Sequence, residues 1–155
     1  MDIFRSLGEI PTDFGPAVAA IGNFDGVHRG HRWLLAEIKA RALGAKSVAV
    51  TFDPHPSRVL RPEAAFKLIT PMPERLELLR ASGIDAALVL AFTDEICTMS
   101  GLEFVTTVLR DGLRAVEVHE GDNFRFGHKA RCHAGDLVEM GRDLGFRVRI
   151  FSPRY

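Results

Sequence analysis

The sequence predicts an α/β fold, a Rossmann-like, doubly wound, five-stranded parallel sheet in one domain of 155 residues. Three observations predict it. Short runs of Val, Ala, Leu and Ile alternate with segments of helical periodicity. Those runs are apolar at successive positions, as strands covered on both faces require. The glycine-, histidine- and asparagine-rich segments all follow strands, and in such sheets ligands bind outside the carboxyl ends of the strands.

Strand one is read at Val18–Asn23. Helix one follows at about His31–Leu43, with Leu34, Leu35, Ile38 and Ala42 on one face and Gly44 as its stop. Ser47–Phe52 is strand two, β-branched and apolar. A connection of about 18 residues, Asp53–Thr70, leads to helix two, with Thr70 as cap, Pro71 in the first turn and a body through about Ala81. Ala86–Phe92 is strand three. Ser100 and Glu103 form a capping-box pattern that opens helix three, through about Asp111. Ala115–Glu120 is strand four, Gly135–Leu144 helix four and Arg147–Phe151 strand five.

Composition narrows the function classes. Apolar residues are 46% and charged residues 26% of the chain, and 20 Lys+Arg balance 20 Asp+Glu. A protein of this size buries roughly 70% of its unfolded surface, enough for an ordinary core. Charge balance disfavours a duplex nucleic-acid partner. No run reaches the ~20 apolar residues of a membrane span, so no membrane partner is expected. Asp2 and Glu9 stand where an export signal would be apolar, and Cys97 and Cys132 form no C-x-x-C pair. The expected location is the cytoplasm, with both thiols reduced.

The richest segment is Ile21-Gly22-Asn23-Phe24-Asp25-Gly26-Val27-His28-Arg29-Gly30-His31. Its buried strand breaks into a glycine-punctuated turn and delivers His-x-Gly-His to a helix start. Free amides and the dipole there attract phosphate, and Gly26 and Gly30 permit close approach. His28 and His31 are therefore candidate donors to a triphosphate. Surface histidines, or zinc ligands needing further partners, are the alternatives. No P-loop and no G-x-G-x-x-G after a strand is present.

Two later segments fall at the same end of the sheet. The Asp53–Thr70 connection, stiffened by Pro54, Pro56 and Pro62, reads either as a lid or as a rigid packed loop. Phe124 and Phe126 alternate with Asn123 and Arg125, so their rings either stack on a planar ligand or belong to the core. Arg125, Lys129 and Arg131 suit a phosphate or form a solvated basic loop. His119, His128, His133 and Cys132 fit no zinc spacing, and the metal site is left unknown.

Taken in order, the Ile21–His31 segment, Thr51-Phe52-Asp53-Pro54-His55-Pro56 and Gly121-Asp122-Asn123-Phe124-Arg125-Phe126-Gly127 resemble the adenylyltransferase module of prokaryotic FAD synthetase, a nucleotidyltransferase-type Rossmann-like fold of the His-x-Gly-His superfamily. The resemblance runs from about Ala17 to Arg149. It implies an FMN adenylyltransferase, active in flavin biosynthesis, that moves AMP from ATP to FMN and gives FAD and pyrophosphate. It implies ATP contacts at Gly22, Asn23, Phe24, Asp25, Gly26, His28, Gly30, His31 and Asn123. His28 and His31 are the catalytic pair. It implies flavin contacts at His55, Pro56, Asn123 and Phe126, which Arg125 joins on charge grounds. Mg²⁺ is expected with ATP, and a riboflavin kinase domain or a second copy of the chain is the expected protein partner. The chain reads as a single domain, 1–155, that stops before the family's Ser-Ser-Thr…Arg segment and holds no riboflavin kinase module. The alternative expectation is a flavin- and nucleotide-binding relative with little or no catalysis.

Overall fold

The computed structural model describes residues 1–24, 29–53 and 70–152. The chain runs through β1 (Asp2–Phe4), β2 (Ala17–Ile21), α1 (Arg29–Arg41), β3 (Lys46–Asp53), α2 (Met72–Ala81) and β4 (Ala86–Ala91). It continues through α3 (Asp94–Thr98), α4 (Gly101–Phe104), a π-helical segment (Val105–Gly112) and β5 (Ala115–Gly121). After β5 come β6 (Arg125–Phe126), β7 (Cys132–His133), α5 (Ala134–Leu144) and β8 (Arg147–Phe151). One sheet has six strands in the order β1-β4-β3-β2-β5-β8, every neighbour parallel. β6 and β7 form a small antiparallel pair.

All five predicted strands are present, and β1 adds a sixth at the edge, pairing Asp2, Ile3 and Phe4 with Ala86, Ala87 and Leu88. Three residues, of which only Phe4 is buried, are too short a run for periodicity to register. From β2 the chain steps outward through β3 to β4, then returns to β5 on the other side of β2 and on to β8. The reversal places the topological switch point between β2 and β5, where an open α/β sheet binds its ligand.

Both faces of the sheet are covered. Val18 and Ala20 of β2 pack with Leu34, Leu35 and Ile38 of α1 and Leu76 and Leu79 of α2. Ala19 and Ile21 face the opposite layer, built from Phe104, Val105, Val108, Leu109 and Leu137. Alternate residues of one strand therefore serve two cores, which is why the strand reads as continuously apolar. On β5 the α1 side carries charge instead. Arg41 Nε donates to Glu117 Oε1 at 2.8 Å, and His119 Nε2 lies 3.6 Å from the same oxygen. Burial holds His119 below its ordinary pKa, against the pull of Glu117.

Two helix starts differ in detail from expectation. Pro71, not Thr70, takes the cap position of α2, because Arg75 N donates to Pro71 O at 3.0 Å and closes the first turn there. Ser100 Oγ accepts from Glu103 N at 3.1 Å, as the capping pattern predicts. That helix keeps α winding for only one turn. Its π segment ends with Leu113 N donating to Val108 O at 3.0 Å. The winding buries Val105, Val108 and Leu109 together, and over so short a run their spacing does not separate α from π.

Candidate active site

At the carboxyl end of β2 the backbone is held from three directions. Gly22 N donates to Val50 O of β3 at 2.9 Å. On the β5 side, Ile21 N donates to Glu120 Oε1 at 2.5 Å. Asn23 O accepts from Arg75 Nη1 at 2.7 Å and from Thr51 Oγ1 at 3.2 Å. Arg75 Nη2 also donates to Phe52 O at 3.4 Å. A turn fixed in this way presents Gly22 and Asn23 to a ligand without further ordering cost.

Phe24 closes the described part of the turn in the left-handed region, φ 52°, with its side chain fully buried. An aromatic residue there costs about 1–3 kcal/mol, which burial of the ring offsets. The ring meets the His31 imidazole at a centroid distance of 5.1 Å and an angle of 60°. Phe24 thus offers a ligand its backbone rather than its ring, and it supports His31 in the first turn of α1. Gly30 lies in the same turn, and a helix start carries partial positive charge.

The second half of the site comes from the segment after β5. Asp122 N donates to Phe151 O at 2.8 Å and Phe124 N to Gly121 O at 3.1 Å, so the chain turns sharply at Asn123. Phe124 and Phe126 stack at 5.3 Å, nearly parallel at 14°. Phe126 is buried and belongs to the core, while Phe124 is half-exposed. Phe126 packs in the core and also lines the cavity described next, and the Phe124 ring is the more open of the two.

These segments enclose a cavity of roughly 770 Å³ at the switch point. Ile21, Gly22 and Asn23 line it from β2, and residues 123–130 line it from the β5 side. Phe52, Phe92, Met99 and Phe104 add an apolar wall. Phe52 is set edge-on to Phe92 at 5.6 Å and 82°, which holds that wall in shape. A cavity of this size falls in the range that takes a small organic ligand. The structure therefore brings Gly22, Asn23, Asn123, Arg125 and Phe126 together around one cavity. Asp25, Gly26, His28, His55, Pro56 and the segment 54–69 lie outside the described residues.

Sequence reasoning gave no site role to Arg75, Glu120, Thr51 or the Phe52–Phe92 wall. Arg75 and Glu120 are charged residues at positions where a local pattern predicts solvent, and their partners are distant in sequence. His119 lies under α1, and His133 caps α5 with its amide donating to Asp136 Oδ2 at 2.9 Å. Among the described residues no group of three His, Cys, Asp or Glu side chains is placed to hold a metal ion.

Gly127 fixes where the 123–130 segment can go. Its φ of 80° and ψ of 175° are essentially restricted to glycine. A Cβ there would stand 2.9 Å from Gly101 N and 3.0 Å from Gly101 Cα, so the two backbones meet directly. Gly127→Ala is expected to cost about 2–4 kcal/mol by adding backbone strain to overpacking. A urea titration reads this as a lower midpoint, and an unchanged midpoint would show the close approach to be unimportant.

Comparisons with known proteins show the family. A family model described as FAD synthetase matches residues 10–155. The chain belongs to the FAD synthetase family. Similar relatives are the bifunctional riboflavin kinase/FMN adenylyltransferases of Pseudomonas fluorescens, 40% identical over 156 residues, and of Escherichia coli, 32% identical over 146 residues. The first alignment covers 96% of this chain and 48% of the relative, the second 93% and 46%. The chain thus spans about half the length of the curated relatives it matches. Among solved structures, one described as a macrolide-efflux protein from Streptococcus pneumoniae has a TM-score of 0.81 at 25% identity, covering 99% of this chain and 51% of that one. A pantothenate synthetase from Thermus thermophilus shares the fold alone, with a TM-score of 0.60 at 16% identity over 98% of this chain and 61% of that one.

Proposed function

We propose that this chain is an FMN adenylyltransferase, transferring AMP from MgATP to FMN to give FAD and pyrophosphate. The observation that carries the reading is the single cavity at the switch point. Its β2 side presents a braced glycine turn beside a helix start, and its β5 side presents the stacked Phe124–Phe126 pair with Arg125, His128 and Lys129 nearby. One side suits a nucleotide, the other an isoalloxazine ring and its phosphate.

In the proposed reaction an oxygen of the FMN phosphate attacks the α-phosphorus of ATP. A new P–O bond forms in line as the bond to the bridging α–β oxygen breaks, and pyrophosphate leaves with that electron pair. The attacking phosphate is already anionic at neutral pH, so no strong base is required. Catalysis rests on positioning two anions and stabilising the charge that builds between them. His28 and His31, with the α1 amides, are assigned to the phosphates. Gly22 to Gly26 and Gly30 are assigned to the nucleotide, and Asn123 to the region between the two phosphates. His55, Pro56, Arg125 and Phe126 are assigned to FMN, with Phe126 backing the Phe124 ring. Mg²⁺ enters as part of the ATP substrate.

Among the described residues no helix is long and apolar enough to cross a membrane. A cytoplasmic location, where ATP and reduced thiols prevail, goes with this reading. A riboflavin kinase module, which the relatives' names pair with the same activity, is the natural source of FMN. A homo-oligomer is the other expected protein contact.

The test is incubation of the chain with FMN, ATP and Mg²⁺, with chromatography for FAD and a pyrophosphate assay. FAD and pyrophosphate in equal amounts are the expected result. Quenching of flavin fluorescence without either product would reduce the chain to a binding domain. Absence of both binding and product would point to another phosphorylated acceptor.

A further inference from the structure

We propose that Glu120 is a positioning residue that ties the nucleotide turn to the flavin turn at the switch point. The inference rests on the adenylyltransferase reading for its effect on rate, but its structural part stands alone. β2 and β5 pair through Ala17–Ala115, Val18–Glu117 and Ala19–Val118, and there their pairing ends. Two residues further along β2, Ile21 N points toward β5, because its neighbour Gly22 N is already committed to Val50 O on the other side. Beyond the end of the strand pairing, the Glu120 carboxyl meets Ile21 N, from a side chain that is 2% exposed.

The two partners of this bond stand at the roots of the two loops that form the cavity. Ile21 leads directly into Gly22 and Asn23, the nucleotide side. Glu120 leads directly into Gly121 and the turn at Asn123, the flavin side. One buried hydrogen bond therefore sets the spacing between the two loops that must deliver the attacking and the reacting phosphates. For a bimolecular transfer this spacing governs rate more than affinity, since a misplacement of about 1 Å costs up to ~10²-fold. Burial drives the Glu120 carboxyl well above its ordinary pKa, against the smaller opposing effect of the Ile21 amide. The group thus acts through its shape and its acceptor oxygen more than through charge, and glutamine reproduces both.

The experiment compares Glu120→Gln and Glu120→Leu with the unmodified chain. It reads kcat and KM for both substrates per folded molecule, and exchange of the Ile21 amide by two-dimensional NMR. Glu120→Gln is expected to keep the Ile21 amide protected and kcat within about twofold. Glu120→Leu is expected to speed Ile21 exchange and lower kcat about tenfold or more, with each KM changed less than about threefold. A merely structural role would lower stability yet leave kcat per folded molecule and the kcat-to-KM pattern untouched, and that result overturns the proposal. So does a glutamine variant as impaired as the leucine one. If Glu120→Leu does not fold, the unmodified chain decides through its Ile21 amide, which must be among the protected amides of β2. No FAD from the unmodified chain would refute the activity reading, while the exchange data still decide whether Glu120 joins the two turns.

Discussion

Alanine at position 31 is expected to lower the turnover of FAD formation by ~10²-fold or more, the scale of losing one preorganised donor in a phosphoryl-type transition state. That is about 2.7 kcal/mol of barrier. His31 lies in the first turn of α1 and packs on Phe24, so its imidazole is held before substrate arrives. A donor already in place incurs no reorganisation cost when charge builds on the phosphates, which is why its loss falls on kcat more than on KM. His28→Ala, carried by the same motif, is expected to behave alike. The double variant is expected to lose less than the product of the two single losses, because the pair acts on one charge. Steady-state kinetics with FMN and ATP measure this, with thermal unfolding as a control for lost packing on Phe24. Turnover near that of the unmodified chain in both single variants would remove the histidines from the mechanism.

The centre of the sheet was legible because β2, β3 and β4 are doubly buried. Val48, Ala49 and Val50 are fully buried in β3, and Ala86 through Leu88 in β4, so no polar residue interrupts them. What stayed hidden depends on contacts between distant residues. Glu117 in β5 finds Arg41 at the far end of α1, and Glu120 finds the amide of Ile21. No window of neighbouring residues contains both partners of either contact. The β6–β7 pair is two residues per strand, Arg125 with His133 and Phe126 with Cys132, too short for alternation to register. α3 rests on its cap, with Ile96 N donating to Thr93 Oγ1, rather than on any apolar stripe. The site's segments were legible as segments, since each follows a strand. Which side chain of each faces the cavity was not, as the burial of Phe24 away from it shows.

Arg75→Met is expected to destabilise the protein by about 1–3 kcal/mol and to raise the KM for ATP about tenfold while leaving the KM for FMN within about twofold. Arg75 is 2% exposed, and its guanidinium gathers Asn23 O, Thr51 Oγ1 and Phe52 O onto one planar fork. The bond to Asn23 O is short at 2.7 Å, whereas those to Thr51 and Phe52 are long at 3.3 and 3.4 Å. Of these three bonds, the one to Asn23 O therefore carries most of the effect. Hydrogen bonds from charged donors contribute about 1.5–3 kcal/mol each, but burying the guanidinium offsets part of this, so methionine recovers something through relief of desolvation. Thr51 Oγ1 still donates to Asn23 O in the variant, which keeps the turn formed but loosens it. The loss then appears at the nucleotide, whose turn Arg75 braces, and not at the stacked Phe124–Phe126 pair on the β5 side. Arg75→Lys supplies charge without the fork and is expected to fall between the two in stability while sharing most of the rise in KM for ATP. Urea unfolding and paired KM measurements decide the matter. An equal rise in both KM values would mean that Arg75 supports the whole sheet end, and an unchanged KM for ATP would detach it from the nucleotide turn altogether.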